Sequence, residues 1–256
     1  LSFSTRFNNV LISIASSLCG DDFAKTILRK FLVGGAWWHT TYKAIYVSDN
    51  FVSLDIAGHE YSHGVHLALG KLTTNTGETG ALAEATGDIF GTCSEYFANN
   101  PNDPGDWLIA EKVGSAIRDM QKPSNKGGYD FYDISLANAE PHAGAGVGDH
   151  FFYYLLYGVP TSGFNFSPYL PAGMTGMGSG ATARNNAAKI WYRALRFYMT
   201  GSSVYNGARL ATLNAADDLE YSGTIPTGTR TKIKNAWRAV NIPVQLNEDD
   251  FCKTCQ

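Results

Sequence analysis

Apolar positions along this chain recur at helical spacing in most stretches, and one stretch is instead rich in aromatic and β-branched residues. Val10, Leu11, Ile14 and Leu18 fall at helical intervals. Asp21 or Asp22 can cap a second helix through Phe23, Ile27, Leu28 and Phe31, which Gly34-Gly35 then breaks. From Trp37 to Leu54 the residues are aromatic and β-branched, interrupted at Ser48-Asp49-Asn50, which predicts two short strands around a turn. Ile56 to Leu69 reads as a helix with Asp55 at its start and Gly70 at its end. A Thr/Gly/Asn loop covers Leu72 to Gly80, and Ala81 to Ala98 forms a second helix, followed by a loop from Asn99 to Asp106. Residues 121–148 look mostly irregular, and Asp149 to Tyr157 is aromatic-rich and helical. Residues 158–182, dense in Gly, Pro, Ser and Thr, predict a surface loop. Two apolar stripes close the chain. Ala187, Trp191, Ala194, Leu195 and Tyr198 make the first; Ile233, Ala236, Trp237 and Val240 make the second, with Thr229 as its cap.

The 256 residues suffice for one large domain or two lobes. With 44% hydrophobic and 17% charged residues the chain is globular. A net charge of −3 favours neither a nucleic-acid nor an anionic-membrane partner, and no apolar run reaches transmembrane length. Val10 to Leu18 is short and no clear cleavage site follows it, so it reads as part of the fold. A first residue of Leu fits a processed or truncated product. Cys19, Cys93, Cys252 and Cys255 allow three complete pairings; Cys252-Lys-Thr-Cys255 has no second C-x-x-C and reads as a disulfide or two thiols.

The chemistry centres on His59-Glu60-Tyr61-Ser62-His63. Residues four apart share a helix face, so His59 and His63 can offer neutral imidazole nitrogens to one zinc ion. Glu60, rotated to the side, suits a general base in metal-assisted hydrolysis. A third ligand decides whether this is more than a helix turn with two histidines. On the second helix Glu84, Asp88, Gly91 and Glu95 share one face, an acidic stripe with a glycine that permits close packing. Ile89, Phe90 and Tyr96 lie off that stripe, so the other sides of the helix are buried as well. His66 shares the face of His59 but stands about 10 Å along the axis from it, too far for one ion. Glu84, on a separate helix, is the better third ligand and leaves a fourth position open to solvent. Asp88, one turn on, can hold the other nitrogen of a zinc histidine.

At this point the chain resembles a known family. His59-Glu60-x-x-His63, followed by Gly80-Ala81-x-x-Glu84-Ala85-x-x-Asp88-Ile89-Phe90-Gly91-Thr92, is similar to the thermolysin-like neutral zinc metallopeptidases, a gluzincin group. Ile117 to Pro123, Pro141 to Tyr154, Lys189 to Leu195 and Ala215 to Leu219 extend the likeness in the same order. The resemblance implies an α+β, two-lobed zincin. Residues 1–80 would hold a reduced N-terminal lobe with short strands and the H-E-x-x-H helix. Residues 81–256 would form a mainly helical C-terminal lobe. It implies a secreted zinc endopeptidase made with a pro-segment, acting as a monomer on protein or peptide substrates, with a preference for an apolar residue after the cut bond. Ile56, Ile109, Val113 and Ile117 are candidates for that apolar pocket, or simply core. Residue by residue, His59, His63 and Glu84 match the zinc ligands and Glu60 the base. His142 matches the histidine that stabilises the oxyanion, Arg118 the arginine that holds a substrate carbonyl, and Ala36 a strand residue that pairs with substrate. Asp55, Glu95, Asp106 and Glu111 match a site for one structural calcium, a hard cation suited to carboxylates.

The chain also departs from the family pattern. Only about 35 residues precede the cleft strand, so the N-terminal lobe is reduced or upstream chain has been removed. Gly35 replaces an asparagine that contacts substrate, and Thr73-Thr74 stands where a catalytic tyrosine is usual. Ala83 replaces the asparagine that supports the second zinc histidine, and Asp149 replaces another asparagine. No carboxylate occupies the usual place before His142; Ala137 is there, and Glu140 is nearer. Two other readings follow: a fungalysin-like peptidase, against which the Arg118 and His142 segments speak, and a zinc-stabilised binding module that does not cleave.

Overall fold

Three strands make the first layer. β1 (Ile27–Phe31), β2 (Ala36–His39) and β3 (Ala44–Ser48) form a sheet with β3 in the centre. A computed structural model describes residues 27–31, 34–160, 162, 167–169 and 173–244, so the helix expected at Val10–Leu18 and Cys19, Cys252 and Cys255 lie outside the described residues. β3 pairs parallel with β1, Ile27 against Ala44 through Phe31 against Ser48, and antiparallel with β2, Ala36 against Val47 through His39 against Ala44. Two sequence expectations fail here. Ile27, Leu28 and Phe31 belong to a strand and not a helix. In five residues, apolar Ile27, Leu28 and Phe31 around Arg29-Lys30 fit a helical spacing, and pairing with a central strand overrides it. The turn between β2 and β3 lies at residues 40–43, where Lys43 takes a positive φ of 46°, and not at Ser48-Asp49-Asn50, which leads into a 3₁₀ turn.

The rest is mainly helical, as the apolar stripes require: α1 (Leu54–Ala68), α2 (Gly77–Ala98), α3 (Pro141–Tyr157), α4 (Ala181–Arg193), α5 (Tyr205–Tyr221) and α6 (Thr229–Ala239). α4 runs directly into a π-helical turn, Ala194–Tyr198. A small hairpin, β4 (Leu108–Ile109) with β5 (Arg118–Asp119), sits between α2 and α3. None of the described helices is long and apolar enough to cross a membrane.

α3 begins eight residues before the predicted start at Asp149. Gly144, Gly146 and Gly148 lower its helix propensity and hid it in the sequence. Pro141 suits the first helical position, and Glu140 caps the end by accepting from the Ala143 N–H at 3.0 Å. The glycines are there for packing. A Cβ on Gly144 would stand 2.6 Å from Ala81 Cβ, and one on Gly148 2.6 Å from Ala85 Cβ. Two small-residue pairs, each four apart, thus let α2 and α3 approach along matching ridges. α1 and α2 cross in the same way, with a Cβ on Gly58 falling 2.9 Å from Gly91 Cα.

The core lies where α2 to α6 converge. Phe151 stacks on Trp237 with centroids 3.7 Å apart, and Trp191 stacks beside them. Their polar tips are satisfied: Trp191 Nε1 donates to Thr86 Oγ1 at 3.2 Å and Trp237 Nε1 to Thr212 Oγ1 at 2.9 Å. Thr229 is not the cap of α6. It is the first helical residue, after Gly228, and its hydroxyl donates to the Pro226 carbonyl at 2.6 Å.

Candidate active site

α1 and α2 cross at their glycines and so bring their polar faces together. His59 Nε2 and His63 Nε2 stand 3.0 Å apart. Glu84 Oε2 is 3.1 Å from His59 Nε2, and Glu84 Oε1 is 3.5 Å from His63 Nε2. One ligand atom from each of the three side chains falls within a 4.8 Å sphere. Glu84 Oε2 is buried and, although close to both His59 and His142, has no directed hydrogen bond to either.

Each imidazole is held from behind. His59 Nδ1 meets Asp88 Oδ1 at 2.8 Å. Arg118 grips the same carboxylate with two bonds, Nε to Oδ2 at 2.5 Å and Nη2 to Oδ1 at 2.6 Å. His63 Nδ1 meets His66 Nε2 at 3.0 Å, and His66 Nδ1 meets the Lys71 carbonyl at 3.0 Å. With both Nδ1 atoms engaged, the two Nε2 lone pairs face each other and a carboxylate. Such an array repels itself unless a positive charge sits within it.

The titration behaviour says the same. Burial alone would lower the His59 pKa, but Asp88 and Glu84 reverse this and push it up to about 10. Burial, and then the charge on His59, bring His63 down to about 3. Despite burial, His59 and His63 hold the Glu84 carboxyl well below the usual carboxylate range. A positive charge on His59 thus opposes a second one on His63. The donor set, two imidazoles and a carboxylate, is one that zinc accepts in that proton's place.

Glu60 is buried beside His59, and burial, partly offset by His59, raises its carboxyl above the ordinary range. The cleft over these groups has a volume of about 320 Å³, and its walls include Ala36, Trp38, His63, Thr74 and His142. Trp38 reaches α1 because position 64 is glycine: a Cβ there would stand 2.6 Å from the indole. β2 is the outer strand of its sheet, so Ala36 lies on an edge beside the cleft. His142, in the first turn of α3, is 57% exposed at the rim, with Nε2 3.3 Å from Glu84 Oε2. Its Nδ1 meets Glu140 Oε1 at 2.6 Å, so the helix cap supplies the carboxylate missing from the usual place upstream. A second pocket, about 350 Å³, adjoins His142 and is lined by Arg118, Ile117, Lys126 and Asp149. Of the apolar-pocket candidates only Ile117 lines it; Ile56 and Ile109 are core, and Val113 packs against that core.

The acidic face of α2 continues to a second cluster. Asp55, Glu95 and Glu111 each place an oxygen within 4.8 Å of the others. Glu95 Oε1 and Glu111 Oε2 are buried without partners. Asp106 is not part of that triad: its backbone N–H donates to Glu95 Oε2 at 3.4 Å, and its carboxylate accepts from the Leu108 N–H. Sequence reasoning missed His66 and Glu140 as supports. Their signal was local, one helical turn after His63 and two residues before His142. It also missed Asp149, whose buried carboxyl is pushed well up by burial and by Asp88.

Two crossed helices presenting H-E-x-x-H and a downstream glutamate to a cleft define a metallopeptidase type of scaffold. The chain belongs to the thermolysin metallopeptidase family, whose α-helical domain matches residues 74–242. It is 39% identical over 196 residues to a transglutaminase-activating metalloprotease of Streptomyces mobaraensis, covering 74% of this chain and 25% of that protein. It is 32% identical over 197 residues to bacillolysin of Bacillus caldolyticus, covering 74% of this chain and 33% of that protein. The chain thus spans a quarter to a third of the length of these curated relatives. Its fold is similar to that of the precursor of protealysin, a metalloproteinase from Serratia proteamaculans. The TM-score is 0.68 at 17% identity, over 94% of this chain and 77% of that one.

Proposed function

We propose that this chain is a zinc-dependent endopeptidase with His59, His63 and Glu84 as metal ligands. The observation that carries the reading is that one ligand atom from each of these three side chains lies within 4.8 Å of the others, with Glu84 Oε2 lacking a directed hydrogen bond. Zinc bound there supplies a Lewis acid that brings the pKa of a water toward 7 and polarises a carbonyl. Glu60 takes the proton of the attacking water and passes it to the leaving amine. His142, held by its Nδ1–H on the Glu140 carboxylate, acts in its imidazolium form, donating the Nε2–H to the developing oxyanion. The edge of β2 at Ala36 pairs with an extended peptide. Arg118 holds Asp88 and, from the adjoining pocket, a substrate carbonyl. Ile117 gives that pocket an apolar wall for the residue after the cut bond. The two lobes, 1–80 and 81–256, meet at this cleft, and the protein works outside the cell as a monomer matured from a precursor. The test is cleavage of casein or a furylacryloyl peptide, lost with a zinc chelator and restored by about one equivalent of zinc. Zinc uptake without cleavage would leave a binding module instead.

We assign one structural calcium to Asp55, Glu95 and Glu111, with Asp106 at its margin. Burial, and then the charges of Asp55 and Glu111, push Glu95 up to about 9. Burial is also the main cause that takes Glu111 up to about 7. In the calcium-free fold these acids hold protons that the unfolded chain has released above its own pKa near 4.3. The calcium-free protein therefore loses stability as pH rises from about 4.3 to about 9. Calcium takes the place of those protons. With zinc saturating, added calcium should raise Tm more at pH 8 than at pH 5; an equal rise at both would count against the site.

A further inference from the structure

We infer that His66 is the positioning residue for His63, fixing its tautomer and ring angle through a relay anchored on the Lys71 carbonyl. The inference rests on the zinc reading above and deepens it. A carbonyl only accepts, so its 3.0 Å contact with His66 Nδ1 requires the proton on that nitrogen. His66 Nε2 is then an acceptor, and its 3.0 Å contact with His63 Nδ1 requires a proton on His63 Nδ1. That leaves His63 Nε2 bare, on the side of His59 and Glu84. One backbone oxygen thus determines two imidazole tautomers in series and delivers a lone pair to the metal position.

The anchor is itself held. Gly70, at a φ of 66°, and Leu72, at 47°, curl the chain back after α1. The Lys71 N–H donates to the His66 carbonyl at 2.8 Å, and Lys71 Nζ donates to the Met199 carbonyl at 2.7 Å. The next two N–H groups, of Leu72 and Thr73, donate to the Thr200 and Gly201 carbonyls at 3.0 and 2.9 Å. The relay therefore runs from the turn after the π-helical segment, through Lys71 and His66, to His63. Position 83, on the cleft wall beside Glu84, is alanine, whose methyl offers His63 no hydrogen bond.

The experiment measures zinc affinity of the full chain by competition with a chromophoric chelator, in wild type, His66→Leu and His66→Gln. Glutamine places an amide oxygen where His66 Nε2 stands; leucine places none. The expected result is affinity about 10–100-fold weaker in His66→Leu and within about threefold of wild type in His66→Gln. Long-range ¹⁵N–¹H spectra of zinc-loaded wild type, which need no variant to fold, should show His66 protonated on Nδ1, the minor tautomer of free imidazole. Wild-type affinity in His66→Leu, or equal losses in both variants, overturns the inference, as does a His66 proton on Nε2. If wild type takes up no zinc, the metal reading falls and this inference with it. If wild type takes up zinc and His66→Leu takes it up equally well, only this inference falls.

Discussion

Replacing Glu60 with Gln removes peptide hydrolysis and leaves zinc in place. Glutamine keeps the shape and loses the basic lone pair. Glu60 is not among the three converging ligands, so zinc content stays near one per chain. A positioned general base contributes about 10²–10⁴ to rate, and kcat/KM should fall by that factor. Burial raises the Glu60 carboxyl in the metal-free site and the charge of a bound zinc opposes that rise, so the acidic limb of the wild-type pH profile should lie below the pH at which Glu60 titrates without metal. Below that limb Glu60 is protonated and cannot accept; above it the base is available. A Glu60→Gln enzyme that cleaves at wild-type rate would remove Glu60 from the mechanism.

Gly87→Ala is expected to cost both metal and stability. In a helix interior this change usually gains about 1 kcal/mol from propensity. Here a Cβ on residue 87 would overlap the His59 imidazole at Nδ1. The ring has nowhere to retreat, because Asp88 holds that nitrogen and Arg118 holds Asp88. Nor can α2 back away without opening its glycine contact with α1 at Gly58 and Gly91. Overpacking of this kind costs about 1–3 kcal/mol, which outweighs the propensity gain. We expect a lower denaturation midpoint together with loss of stoichiometric zinc. A variant as stable as wild type that still holds zinc would mean the two helices are free to slide.

The site was more legible in the sequence than the fold around it. H-E-x-x-H and the Glu84/Asp88 spacing are short-range geometry on one helix each, and helical periodicity fixes which residues share a face. The start of α3 was hidden because Gly144 and Gly148 are chosen for contact with Ala81 and Ala85, a tertiary reason that local propensity cannot carry. β1 was hidden because its partner strand lies more than a dozen residues on. His66 was weighed only as a ligand. Its use as a support depends on how the chain after α1 folds back to present the Lys71 carbonyl, which no local pattern encodes.

Where Gly58 meets Gly91, peptide touches peptide with no side chain between. The spacing of the two helices beneath the triangle of donor atoms is therefore set by hard backbone dimensions, and Asp88 and His66 then hold the rings upon it. Warming, or neutral drift among core residues, can rearrange the surrounding side chains without shifting the two helices at this crossing. The cleft is accordingly pre-shaped for its cation, and little ordering remains to be done when the ion arrives.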